Sequence, residues 1–326
     1  MTIKLSPNLK RFLQYSLIAI ALLLIIRHFM GNTHDFLLIK NISIQTFFLV
    51  ALLIMAYFIC SAEKILAIFK NLGLKTIKRM QWFRILMISA FAGYHISQGA
   101  TIYRSIHLKK LFNFSYTDTL SATAITVWLD TLVVLSFTIA SLILSTSTFI
   151  QRNTLLLTLC IVFLTIVMIP VFLKLIQKIT KRFTFQNKFF IWATERTTHL
   201  ANNVIARSYN GPLAIQFTFF SLISFILHIV IFYLLLQSLF PHTFHREIPL
   251  FTAIFFLSRS INIVPGNIGI GELICGYASE LLWGNRAAGY ILSALYRIIS
   301  YLVCACFGII FSKHIFIRKT DLEKIT

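Results

Sequence analysis

Apolar residues in this chain gather into long runs with short polar interruptions. Neither the two-residue alternation of a half-buried strand nor the single stripe of a surface helix dominates. The clear runs are Phe12–Met30, Ile42–Cys60, Thr117–Ser145, Thr154–Ile176, Leu213–Leu239 and Ala287–Phe311. Each is close to or above the roughly 20 residues that a helix needs to cross the hydrocarbon core of a bilayer. Backbone groups in hydrocarbon meet no water, so these runs are expected to be α-helical. Phe12–Met30 is long for the apolar part of a cleaved leader, and no small-residue cleavage site follows it. It is therefore expected to remain as a first helix.

Two other stretches are apolar but broken. Ile85–Tyr103 contains Gly93, His95, Ser97, Gln98 and Gly99. Leu250–Leu282 is too long for one crossing and contains Ser258, Arg259, Asn262 and the run Pro265-Gly266-Asn267-Ile268-Gly269. Each could be one span, or two half-helices that dip in and return. Basic residues separate the alternatives. If both stretches are re-entrant hairpins and the N-terminus is inside, 23 Lys and Arg fall on the cytoplasmic side and 5 on the outer side. If Ile85–Tyr103 crosses instead, everything after it flips and the count becomes 12 inside against 16 outside. The positive-inside rule favours the first arrangement.

The expected fold is thus an all-α polytopic membrane protein with about six spanning helices, two re-entrant helical hairpins and both termini cytoplasmic. The hairpins then enter from opposite sides, each followed by a long helix with a charge near its middle, Asp130 or Arg297. That is the pattern of an inverted repeat whose broken helices meet near the midplane. The halves would be residues 42–176 and 213–313 of a single transmembrane domain spanning 1–326, joined by the basic cytoplasmic segment 177–212.

Composition fits this picture: 58% of residues are hydrophobic and 12% charged, against about 25% charged in ordinary globular chains. A net charge of +20 and pI near 10 would also suit a nucleic-acid-binding protein. Here the basic residues sit in short loops between apolar runs, where the membrane accounts for them, so no nucleic-acid partner is expected. The segment Lys174–Arg207 mixes basic residues with Phe183, Phe185, Phe189, Phe190 and Trp192. It suits either a helix lying on an anionic inner leaflet or a solvated loop. Cys60, Cys160, Cys275, Cys304 and Cys306 all lie in apolar segments, with no metal-ligand spacing and no disulfide framework.

An ionisable side chain at the bilayer centre costs about 2.5–3.5 kcal/mol on insertion scales, so each one requires a reason. Those in question are Arg104, Asp130, Arg259, Glu272, Glu280 and Arg297. The signs balance within each half, which suggests pairing Arg104 with Asp130 and Glu272 with Arg259 or Arg297. Such pairs could simply hold the hairpins to their neighbours. Alternatively, the cations could face a polar cavity and meet a lipid phosphate, which guanidinium geometry suits. In Pro265-Gly266-Asn267-Ile268-Gly269-Ile270-Gly271-Glu272, proline ends a helix, and Glu272 would open the next half-helix where the dipole favours a carboxylate. His228 is read as a hydrogen-bonded packing residue, and the His242, His245, Arg246, Glu247 cluster as an outer loop without metal. No nucleotide-binding glycine loop and no nucleophile-base arrangement is present, so no cofactor is implied.

The stretch from Arg259 through Arg297 resembles a known family, the flippase-like transmembrane region of lysylphosphatidylglycerol synthase and its stand-alone relatives. The likeness lies in Asn262, the signature Pro265-Gly266-x-x-Gly269-x-x-Glu272, and a helix carrying Arg297 about 25 residues later. A weaker match runs from Gly99-x-x-x-Tyr103-Arg104 to Asp130. Asn267 stands where the family usually has a second glycine, and Ser97 and Gln98 where a proline is often seen. The resemblance implies an integral membrane protein related to lipid translocation, with a site built from Arg104, Asp130, Arg259, Asn262, Pro265, Gly266, Gly269, Glu272 and Arg297. Bifunctional relatives carry a cytosolic aminoacyltransferase domain after the membrane region. None follows here before Thr326, so synthesis of lysyl-lipid is not expected.

The expected function is translocation of an anionic or lipid-linked headgroup in a bacterial inner membrane. Arg259, Arg297 and Arg104 would act as headgroup partners, oriented by Glu272 and Asp130. The expected partners are membrane lipids, together with an envelope-biosynthesis enzyme. Two rivals are a membrane-embedded transferase using a polyprenyl-phosphate donor and a non-catalytic accessory subunit. The outer loops are short and nearly free of carboxylates, which ranks the transferase second.

Overall fold

The described helices are α1 (Ile44–Asn71), α2 (Arg79–His95), α3 (Gly99–Phe112), α4 (Tyr116–Leu144), α5 (Arg152–Val167), α6 (Gly211–Leu239), α7 (Ile248–Ser260), α8 (Ile270–Trp283) and α9 (Arg286–Leu322). The computed structural model describes residues 38–74, 76–96, 98–145, 152–172, 210–241, 245–260 and 268–322, with residues 23, 174, 198, 202, 203, 205 and 206 besides. No strand occurs among the described residues. The expected first span Phe12–Met30 and most of the basic segment Lys174–Arg207 lie outside them.

Five helical stretches are long and apolar enough to cross a membrane: Ile44–Asn71, Tyr116–Leu144, Leu155–Phe172, Gly211–Leu239 and Arg286–Phe311. Their outer faces carry large aliphatics open to the surroundings, among them Leu144 at 80%, Ile215 at 73% and Ile44 at 69% exposure. A surface of this kind would form an oversized apolar patch in water, whereas lipid tails match it. The chain is an all-α, multi-pass membrane protein.

Local chemistry sets where these helices begin. The hydroxyl of Ser43 accepts from the Thr46 amide at 3.0 Å, and that of Ser115 accepts from the Asp118 amide at 3.0 Å. The Asn210 side chain accepts from the Leu213 amide at 3.2 Å, just ahead of a proline in the first turn. Each satisfies an amide that the first helical turn leaves without a partner.

One boundary departs from expectation. The run expected to end at Cys60 continues as helix to Asn71, because Ala62, Leu66, Ile68 and Phe69 prolong its buried face. Glu63 and Lys64 are therefore helical residues and not part of a loop.

The two broken stretches are helical hairpins. Helices α2 and α3, of 17 and 14 residues, pack together on either side of the break between Ile96 and Gln98. Helices α7 and α8, of 13 and 14 residues, form the second pair. At 1.5 Å per residue, arms of 13 or 14 residues span about 20 Å, short of the roughly 30 Å hydrocarbon core.

Packing between the halves is reciprocal. Helix α1 lies along α6, while α4 rests on α7 of the second hairpin and α9 rests on α2 of the first. Phe91, Tyr94 and His95 of α2 gather around Tyr301 of α9. The indole of Trp82 on α2 donates to the Ala62 carbonyl of α1 at 2.8 Å. Each hairpin thus leans on the long helix that follows the other one.

Candidate functional site

The described ends of the hairpin arms bound the space between them. In the first, Gln98 adopts φ +64, a left-handed conformation that reverses the chain between α2 and α3. The arms then close so tightly that a Cβ at Gly99 would stand 2.5 Å from the Ala92 carbonyl oxygen, and one at Gly93 would stand 3.2 Å from Ala100 Cβ. In the second hairpin α7 ends at Ser260, and α8 starts behind Gly269, whose φ is +83. Asn262, Pro265 and Gly266 fall outside the described residues.

Between the hairpins lies a cavity of about 240 Å³. Ala90, Gly93 and Tyr94 of α2 and Ala100 of α3 form one wall. Arg259 of α7, Gly271 of α8, and Tyr296 and Arg297 of α9 face them.

Glu272 anchors this second wall. One of its carboxylate oxygens accepts from the Gly269 amide at 2.8 Å, closing the first turn of α8 as expected for a carboxylate at a helix start. The other stands 2.6 Å from Arg297 Nη1. Of the two cations the sequence offers Glu272, the structure pairs it with Arg297.

Arg259 has a different environment. Its guanidinium lies 5.9, 5.8 and 5.8 Å from the ring centroids of Tyr57, Phe255 and Tyr296, within the range of cation–π attraction. Its Nη1 donates to the Tyr296 hydroxyl at 3.3 Å. Beyond Tyr296 the chain of hydrogen bonds has a defined direction. His228 Nδ1 sits 2.7 Å from the Ser224 carbonyl oxygen and must donate to it, since a carbonyl cannot. In the neutral ring Nε2 then accepts from the Tyr296 O–H at 2.9 Å, which leaves the phenol oxygen free to accept from Arg259. His228 is fully buried and hydrogen-bonded, as its place in an apolar helix suggests.

Asp130 belongs elsewhere. It accepts from Lys64 Nζ at 2.5 Å, in a second cavity of about 270 Å³ between α1, α4, α6 and α7. The expected Arg104–Asp130 pair does not form. Arg104 Nε turns back to the Ala100 carbonyl at 3.2 Å, and Arg104 lines neither cavity. The cause is the extension of α1 past Cys60, which carries Lys64 into the bundle beside α4. Glu280, also singled out in the sequence, pairs with Arg286 across the α8–α9 turn, accepting from its Nε at 2.8 Å.

Arg259 is the wall common to both cavities. Its side chain is open to the space on either side. Among the described residues no carboxylate lies within ion-pair distance of it. Sequence reasoning missed Lys64, Tyr57, Tyr94 and Tyr296. Only Lys64 offered a signal, being a cation four positions beyond Cys60 with Ile65, Leu66, Ile68 and Phe69 still to follow.

A family model described as "Lysylphosphatidylglycerol synthase TM region" matches residues 75–308, most of the chain including both hairpins. No curated protein and no solved structure matches it.

Proposed function

Because the chain belongs to the lysylphosphatidylglycerol synthase transmembrane-region family, we propose that it moves an anionic or lipid-linked headgroup between the leaflets of the bacterial inner membrane. The single observation that carries this reading is Arg259. A guanidinium held in the bundle against three aromatic rings, one of which also accepts from it through its phenol, with no carboxylate partner among the described residues, is a cation whose counter-charge has yet to arrive. Phosphate and carboxylate oxygens match its planar fork of donors.

The size of the cavity narrows the choice. Pockets for drug-sized ligands run from about 300 to 1,000 Å³, and this one is about 240 Å³. It suits a headgroup whose acyl or prenyl chains stay in the surrounding lipid. Arg297 and Glu272 neutralise one another on the wall and would orient that headgroup. Short helical arms that meet at the cavity, and packing that is reciprocal between residues 42–176 and 213–313, support two re-entrant hairpins in an inverted repeat. An enzyme of envelope biosynthesis would supply the lipid, and its gradient would set the direction.

The test is lipid movement in proteoliposomes holding labelled anionic phospholipid or polyprenyl phosphate, for the wild type, Arg259→Gln and Arg297→Ala. Movement of one lipid class by the wild type, and its loss in folded Arg259→Gln, supports the reading. If no lipid moves in any folded preparation, the reading gives way to an accessory role. A new lipid product formed in the vesicles would make the protein a transferase.

A further inference from the structure

The cavity between the hairpins presents charge of one sign. Among the described residues that line it, only Arg259 and Arg297 are charged, and none is acidic. Arg259 is exposed. Arg297 shows 20% of its side chain, whereas its partner Glu272 shows 8% and stands behind the wall, outside the lining. Two cations and one anion leave a single positive charge, and the face they turn to the cavity is cationic.

The opposite wall supplies a donor of a different kind. The ring of Tyr94 on α2 packs edge-on against Tyr301, with centroids 5.6 Å apart. Its hydroxyl forms no hydrogen bond among the described residues. A phenol fixed at the ring and open at its O–H can donate to an oxygen that arrives between the hairpins.

These groups discriminate between headgroups that share a phosphate. A phosphodiester brings one negative charge and neutralises the cavity. Its non-bridging oxygens match a guanidinium fork on one side and the Tyr94 hydroxyl on the other. A zwitterionic headgroup brings the same phosphate with an ammonium on a short link. With the phosphate on Arg259, that ammonium stays near the same two cations in a space of about 240 Å³, and no carboxylate in the lining receives it. The rings of Tyr57, Phe255 and Tyr296, which would otherwise suit an ammonium, already hold Arg259. Like charges repel more strongly away from bulk water, and an unmet charge is how a site refuses a ligand of otherwise fitting shape.

We propose that the cavity selects singly charged phosphodiester headgroups whose other substituent is uncharged, with Tyr94 of the first hairpin completing the grip of Arg259 and Arg297. The proposal rests on the headgroup reading above and adds to it a rule of selection.

The experiment follows three lipids in proteoliposomes holding the full chain, each labelled on an acyl chain: phosphatidylglycerol, phosphatidylethanolamine and N-acetylphosphatidylethanolamine. The last two differ by an acetyl group that removes the ammonium charge. Wild type is expected to move phosphatidylglycerol and the acetylated lipid at similar rates, and phosphatidylethanolamine roughly tenfold more slowly or worse, as like charges brought together require. Tyr94→Phe is expected to slow the two anionic lipids about tenfold, the loss of one hydrogen bond to a charged group, with its melting temperature unchanged. Phosphatidylethanolamine moving as fast as its acetylated form overturns the selection and leaves the headgroup reading intact, a comparison that needs no variant to fold. Wild-type movement of phosphatidylglycerol by Tyr94→Phe overturns the role of Tyr94. If polyprenyl phosphate moves and none of these three does, the phosphodiester assignment is overturned, whereas no movement of any lipid removes the reading beneath it as well.

Discussion

Glu272 and Arg297 meet at 2.6 Å while the second oxygen of the same carboxylate caps α8 through the Gly269 amide. One side chain therefore fixes both the start of a half-helix and the orientation of a cation on α9. Removing one member of a buried pair strands the other, at a cost of about 3–5 kcal/mol. Glu272→Gln should therefore lower thermal stability sharply in detergent, and the double variant Glu272→Gln/Arg297→Gln should regain part of the loss. If the single variant melts like wild type, the pair is not structural.

The Tyr296 hydroxyl connects Arg259 to His228. Tyr296→Phe deprives Nε2 of its donor and Arg259 of its acceptor, a loss of about 1–3 kcal/mol for buried groups left unpaired. Lipid movement should slow beyond what the drop in melting temperature explains. Equal stability and equal transport would show that the ring faces alone hold Arg259.

Helices α8 and α9 approach so closely that an added Cβ at Gly289 would stand 2.0 Å from the Cys275 carbonyl oxygen, and one at Gly276 would stand 2.2 Å from the Tyr290 ring. Gly289→Ala should cost at least the roughly 1–3 kcal/mol of an overpacked core. Gly211→Ala is the control, because at the first turn of α6 a new Cβ meets nothing within 4 Å. A melting series that ranks these two variants equally would contradict the close packing.

Sidedness can be read by cysteine labelling. In a chain freed of its five native cysteines, Ser115→Cys should react with an impermeant maleimide only from the cytoplasmic face, and Asn285→Cys only from the outer face. Labelling of both from one side would mean that the second broken stretch crosses the membrane, and exchanged sides that the first one does.

Long apolar runs and glycine-rich interruptions leave local marks, so five of the six expected spans and the breaks near Gln98 and ahead of Gly269 are legible in the sequence. The role of Glu272 at the head of α8 was legible for the same reason, since a carboxylate three residues past a glycine is a local signal. The partner of Asp130 was not. Lys64 stands 66 positions away and sits where an apolar run thins out, which in sequence looks like a membrane anchor reaching for water. Only the continued helix to Asn71 makes it an interior residue. Tyr57, Tyr94 and Tyr296 left no mark either, because an aromatic residue inside an apolar run has no periodicity that separates a cavity wall from a packing contact. Arg104 misled for the opposite reason: a conspicuous charge whose side chain folds back on its own helix.

The crossed arrangement, α4 against α7 and α9 against α2, has a consequence for how the molecule can be assembled. A polypeptide severed between residues 177 and 210 would yield two fragments, each holding a hairpin whose supporting helix belongs to the other. Neither could complete its fold alone, yet the two expressed together in one membrane should find one another and restore the whole.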